Sequence, residues 1–121
     1  MNCATHLAQG GRPLAERLRE RLRREHRGAA AGIRGRDLAA LLGATPRELR
    51  RAVEALRDAG VPVGAHPESG YYWPATADEV ERTAAFLDSR AWASLRQSRK
   101  LRRWARREFG PQLHLDLEES A

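Results

Sequence analysis

Cysteine is nearly missing from this 121-residue chain: Cys3 stands alone, which excludes an intramolecular disulfide and a cysteine metal cluster and makes a reducing cytoplasm the natural setting. Lysine is as scarce, since 21 of the 22 basic residues are arginine and only Lys100 is not. No apolar run is long enough to span a bilayer, and the first residues lack the basic start and apolar core of a signal peptide. Signatures of catalysis are wanting too. His6, His26, His66 and His114 are scattered, no H-x-x-x-H or paired-aspartate metal motif occurs, there is no glycine-rich phosphate loop, and Cys3 has no neighbour to activate a thiol. The expectation is a protein with no enzymatic activity, no cofactor and no metal.

What the chain does have is arginine. Basic residues number 22 against 16 acidic ones, a net charge of +6. Arginine makes bidentate contacts to phosphate and to guanine edges, so this bias suits nucleic acid better than general solubility. A G+C-rich genome raises Arg and Ala usage alike, so composition alone does not decide between the two. Single-stranded RNA is disfavoured as a partner, because Tyr71, Tyr72 and Trp73 read as core residues rather than exposed stacking platforms.

Local signals divide the chain into four parts. Residues 1–12 are a small-residue tail, expected to be disordered. Residues 13–75 read as one small domain. Its first helix, Pro13 to His26, carries Leu14, Leu18 and Leu22 on a narrow stripe with Arg17, Arg21, Arg24 and Arg27 around it, too thin a core to stand alone. Gly28 to Gly32 reads as a linker into Ile33, a candidate first strand. A helix follows with Leu38, Leu41 and Leu42 on its apolar face, small Ala39, and Gly43 as its stop. Thr45, Pro46 and Glu48 then form an N-cap, a first helical proline and a T-x-x-E capping box. The helix they start has Leu49, Ala52, Val53, Leu56 and Ala59 at core spacing, leaving Arg47, Arg50, Arg51, Glu54 and Arg57 outside, and Gly60 ends it. Val61-Pro62-Val63 and Tyr71-Tyr72-Trp73 read as two strands flanking a turn-rich loop, with Pro62 marking the first as an edge strand.

Helix, tight turn, helix and hairpin make this a mainly α protein with a small β-hairpin wing, of the α+β class: a winged helix-turn-helix followed by a long C-terminal helix. The stretch Leu38 to Trp73, with L-A-x-L-L-G, V-x-x-L-R-x-x-G and G-Y-Y-W, resembles the winged-helix DNA-binding domain of biotin-operon repressors and is similar to small phage and prophage winged-helix proteins. The resemblance covers about a third of the chain and implies a DNA-reading module. The biotin ligase activity is not carried over, because no lysine-rich nucleotide loop is present.

If duplex DNA is the partner, Arg47, Arg50 and Arg51 enter the major groove from the start of the second helix. Thr45 and Pro46 lie beside a phosphate, and Glu54 is one turn further along. His66 and Ser69 at the wing tip touch backbone or minor groove; Glu68 beside them repels phosphate, so the alternative is a wing that contacts protein. Arg57 and Asp58 read as surface charges.

Residues 76–109 start at a second T-x-x-E box, Thr76 to Glu79, and contain no Pro or Gly up to Phe109, which predicts one helix of roughly 50 Å. Val80, Ala84, Leu87, Ala91, Ser94, Ser98, Leu101 and Ala105 follow a 4-3 spacing, with Trp92 and Trp104 off that line. A homodimer is one solution for such a helix and a solvated helix the other. From Arg90 onward it holds eight cations and one acid. Of these, Arg99, Lys100 and Arg103, with Arg102, Arg106 and Arg107, are candidate phosphate contacts or a solvated basic face. In the tail, 110–121, Gln112-Leu113-His114-Leu115-Asp116-Leu117 resembles the Q-L-x-L-x-L peptide with which bacterial replication and repair proteins dock on the sliding clamp. That implies Gln112, Leu113, Leu115 and Leu117 as a partner-binding set and, as the alternative function, an adaptor docking on replication machinery. The same leucines also suit a strand covering the protein's own core. The leading expectation is a cytoplasmic, sequence-specific DNA-binding homodimer acting in transcriptional or replication control in a bacterium or phage.

Overall fold

The computed structural model describes residues 11–110, so all but the last two residues of the N-terminal tail, and the segment beyond Gly110, lie outside it. The fold is a mainly helical winged helix-turn-helix with a long C-terminal helix. Helix α1 is Leu14–Glu25, with Pro13 as N-cap and His26 as C-cap. Its Leu18 and Leu22 are completely buried, and the helix packs chiefly on α3 of the helix-turn-helix, Pro46–Asp58.

The helix-turn-helix is built by local chemistry. Helix α2, Gly35–Leu42, ends at Gly43, whose φ of 67° is left-handed. Gly43 N–H donates to Ala40 O and Ala44 N–H to Ala39 O, a Schellman closure that needs glycine at this position. Helix α3 then starts on a complete capping box: Glu48 N–H donates to Thr45 Oγ1 at 3.1 Å and Thr45 N–H donates to Glu48 Oε1 at 2.8 Å. The same type of closure stops α3, with Gly60 N–H on Arg57 O and Val61 N–H on Leu56 O. Leu38, Ala39 and Leu42 meet Leu49, Ala52, Val53 and Leu56 in the core with Leu18, Leu22 and Val63. Two expected core positions differ. Leu41 is 53% exposed because the buried arc of α2 is centred on Leu38, Ala39 and Leu42, and Ala59 is the exposed C-cap of α3 rather than a turn of its core face.

The first wing strand lies further along the chain than the valine alternation predicts, and the second begins one residue before Tyr71 and leaves out Trp73. Strands β1, Gly64–His66, and β2, Gly70–Tyr72, pair antiparallel with Gly64 opposite Tyr72, Ala65 opposite Tyr71 and His66 opposite Gly70. Val61 and Val63 are not in the ladder, because Val61 closes α3 and Val63 is buried in the core. Ile33 forms no strand of its own but an isolated antiparallel bridge, exchanging both backbone hydrogen bonds with Tyr71 at 2.8 and 2.9 Å. This leaves β1 as the edge strand, with Pro62 just before it. Gly70 is obligatory here: its φ is 79°, and a Cβ would stand 2.3 Å from Ile33 O. Tyr72 is buried, and Tyr71 and Trp73 pack partly against the core.

The segment from Gly28 to Gly32 is not a plain linker. Ala29–Ala31 forms a single 3-10 turn, and Ala29 N–H donates to Glu79 Oε2 at 2.8 Å. Glu79 belongs to α4, Ala77–Phe109, whose start is capped by Thr76 Oγ1 on Glu79 N–H at 3.2 Å. The expected reciprocal bond is redirected: the Glu79 carboxylate takes the N–H groups of Ala29 and of Ala75, the latter at 2.7 Å. Those backbone donors hold the carboxyl below its ordinary range. Its contribution to stability is therefore present above that range and lost as pH falls through the lowered value. Glu79→Gln is expected to melt earlier than the parent at neutral pH, with the gap closing in acid. Thermal scans of both proteins across that window check this and separate Glu79 from Glu20, which Arg12 also holds low.

One turn on, Thr83 is buried against the wing. Its hydroxyl accepts Ala65 N–H at 3.1 Å and shares a hydrogen bond with the Tyr72 hydroxyl at 3.2 Å. Thr83→Val keeps the volume but leaves an edge-strand N–H without its acceptor, and is expected to cost about 1–2 kcal/mol in urea denaturation. With these bonds, the compact unit extends through Ala84. From Ala85 the chain forms a second unit in which no described side chain is buried. Within it Arg90 stacks over the Phe86 ring at 5.7 Å, and Trp104 meets Phe109 edge to face at 5.7 Å. Among the described residues no helix is long and apolar enough to cross a membrane.

Candidate nucleic-acid interface

Helix α3 has one face in the core and the other in solvent. Arg47, Arg50, Arg51 and Glu54, at i, i+3, i+4 and i+7, stand exposed on a single stripe beginning one residue after Pro46. No ion pair among the described residues engages the three arginines. Their guanidinium forks are thus presented without an internal carboxylate to displace. Thr45 is exposed at the same end, its oxygen accepting Glu48 N–H and its hydroxyl proton left to donate outward. The capping box fixes where this stripe begins, and Leu49 and Val53 fix its rotation.

Arg57 does not belong to the stripe, nor is it a plain surface charge. Its Nε donates to Val63 O at 3.0 Å, and burial pushes its pKa down from the ordinary arginine value, a value so high that the group stays charged. It ties the end of α3 to the residue before the wing.

The wing turn is differently placed from expectation. His66 is half-buried, and its Nδ1 accepts Glu68 N–H at 3.3 Å and lies 3.6 Å from Glu68 Oε1. The Ser69 hydroxyl donates weakly to Gly70 O at 3.5 Å. Both side chains are thus engaged within the wing. Among the described residues, two cations with no sequence signal of their own lie at this shallow cleft: Arg34, whose Nη1 donates to Pro67 O, and Arg82, which lines it together with Arg34, His66 and Ser69. Arg34 follows Ile33, so the Ile33–Tyr71 bridge is what places it beside the wing.

On the second unit, Arg99, Lys100 and Arg103 share one face with Arg96, Arg102, Arg106 and Arg107, all within an arc of roughly 160° at 100° per residue. All seven are exposed. Gln112, Leu113, Leu115 and Leu117 lie outside the described residues. No group of His, Cys, Asp and Glu among the described residues is arranged to hold a metal ion. The chain matches no protein-family model, no curated protein and no solved structure.

Proposed function

We propose that this chain is a sequence-reading duplex-DNA-binding protein that inserts α3 into the major groove and acts in transcriptional or replication control in a bacterium or phage. The observation that carries the reading is the exposed stripe Arg47, Arg50 and Arg51 on the first two turns of a capped helix-turn-helix second helix. Arginine to guanine O6 and N7 is the commonest specific base contact, and each good pair contributes about 1–3 kcal/mol of discrimination. Glu54 is suited to accept from a cytosine amino group one turn further on, and Thr45 to donate to a phosphate. Arg34 and Arg82 offset the acidic Glu68 at the wing, and the arc on α4 supplies sequence-independent phosphate charge. The protein works as a cytoplasmic homodimer, in keeping with its single cysteine and an α4 in which no described side chain from Ala85 on is fully buried. The resemblance to biotin-repressor winged helices then concerns the reading module alone.

Selection from random duplex DNA at physiological salt tests this. The expected recovery is a G-containing motif repeated in inverted orientation, as the two-fold symmetry of a dimer requires. Retention that is indifferent to sequence and vanishes with salt would mean that the arginines supply charge only, and would overturn the reading. A chain ending at Gly110 is expected to recover the same motif; dependence on the residues beyond it would favour docking on replication proteins through the tail.

A further inference from the structure

We infer that α4 pairs with α4 of a second copy in antiparallel orientation, Ala91 of each chain against Ser94 of the other. This deepens the homodimer reading above and rests on it. Helix α4 places Ala84, Ala91, Ser98 and Ala105 at successive a positions of the heptad, and Val80, Leu87, Ser94 and Leu101 at d. Every a residue is small, and three of the four d residues are branched aliphatics. The seam is open: Val80 is 46% exposed, Leu87 42% and Leu101 69%. From Ala85 on, a helix with no buried side chain is marginal in water without a partner.

Size and charge both select the orientation. In a parallel pair a faces a and d faces d, so layers of two small residues alternate with bulkier ones and the seam is left with voids. An antiparallel pair brings a against d: Ala84 meets Leu101, Ser98 meets Leu87 and Ala105 meets Val80, each small residue receiving a larger one. The central Ala91 and Ser94 layers bring the backbones close. A parallel pair also sets the basic halves side by side, eight cations from Arg90 to Arg107 against the same eight with only Glu108 between them. The antiparallel pair instead places them along the first half, where Asp78, Glu81 and Asp88 outnumber the single Arg82 and Glu79 is taken by the Ala29 and Ala75 N–H groups. At the flanking e positions Glu81 faces Arg102 of the second copy, twice by symmetry. Six of the eight cations occupy b, c and f positions, so pairing leaves most of the phosphate-binding arc uncovered.

Two tagged full-length chains carrying Cys3→Ser test the register, one with Leu87→Cys and one with Ser98→Cys. On mixing and mild oxidation, the expected product is the disulfide between the two different chains, with little linkage of either to itself. Self-linked Leu87→Cys dimers would show parallel pairing and overturn the inference while leaving the dimer in place. A chain that sediments as a monomer at tens of micromolar would overturn both. Because Leu87→Cys alone weakens the seam, charge exchange supplies an independent test. Glu81→Arg is expected to raise the dimer dissociation constant about fivefold or more. Adding Arg102→Glu is expected to restore it, and failure to restore would exclude this register. Neither experiment contains DNA, so its result stands whatever the duplex selection returns.

Discussion

Alanine at Arg47, Arg50 and Arg51 together is expected to weaken binding to the selected duplex by about 100- to 1,000-fold, with the fold intact. Three arginine–guanine contacts at roughly 1–3 kcal/mol each set the scale, reduced by the non-additivity of neighbouring side chains. Each is an exposed residue on a helix whose other face forms the core, so truncation removes no core packing. Fluorescence anisotropy at fixed salt measures the loss, and thermal unfolding within a degree or two of the parent confirms that only the surface has changed. The loss should be confined to the selected sequence, while binding to unrelated duplexes falls far less. A uniform fall across sequences, with a shallower salt dependence, would mean that these arginines contact phosphate alone. Arg19→Ala, on the outer face of α1, is the control for general charge.

The second large effect is on stability. Arg17 is 6% exposed, and its guanidinium donates to Leu42 O at 3.0 Å and to Arg12 O at 3.2 Å. Leu42 is the last residue of α2, so a buried cation sits on the carbonyl end of that helix, at the turn of the helix-turn-helix. Replacing a buried charge by a hydrophobe of similar size is often neutral when its partner charge is replaced too. Here two of the acceptors are backbone carbonyls, and that of Leu42 remains buried when the guanidinium is gone. Arg17→Met is therefore expected to cost about 2–4 kcal/mol in urea denaturation, against less than about 0.5 kcal/mol for Arg19→Met on the exposed face. Equal small effects for both would show that the Leu42 carbonyl finds water instead.

The parts of this fold that were legible in the sequence are those fixed within a few residues. Thr45 and Glu48 cap α3 from three residues apart, Gly43 and Gly60 close their helices through adjacent backbone, and the uninterrupted run to Phe109 is the helix it predicts. The wing was legible in kind but misplaced in register, because the alternation of Val61 and Val63 that marks a strand serves helix closure and core packing instead. The parts that escaped are long-range. Arg17 reaches Leu42 across 25 residues, Thr83 reaches Ala65 across 18, and Glu79 reaches Ala29 across 50. Helical periodicity assigns Arg17 to the rim of its stripe, and only the approach of α2 turns that rim into an interior. The candidate reading stripe was fully legible, since an amphipathic helix declares its outer face whenever its inner one is clear. Arg34 and Arg82 escaped, because their place near the wing depends on the Ile33–Tyr71 pairing and on the anchoring of α4.

Titrating isotope-labelled protein with the selected duplex and following its backbone amides, together with the arginine Nε–H signals, tests the central claim most directly. Perturbations concentrated from Thr45 to Glu54, with slowed exchange at the Arg47, Arg50 and Arg51 guanidinium groups and smaller changes at Arg34 and the wing, are the expected result. Changes confined to the basic arc of α4, with α3 unmoved, would contradict the account.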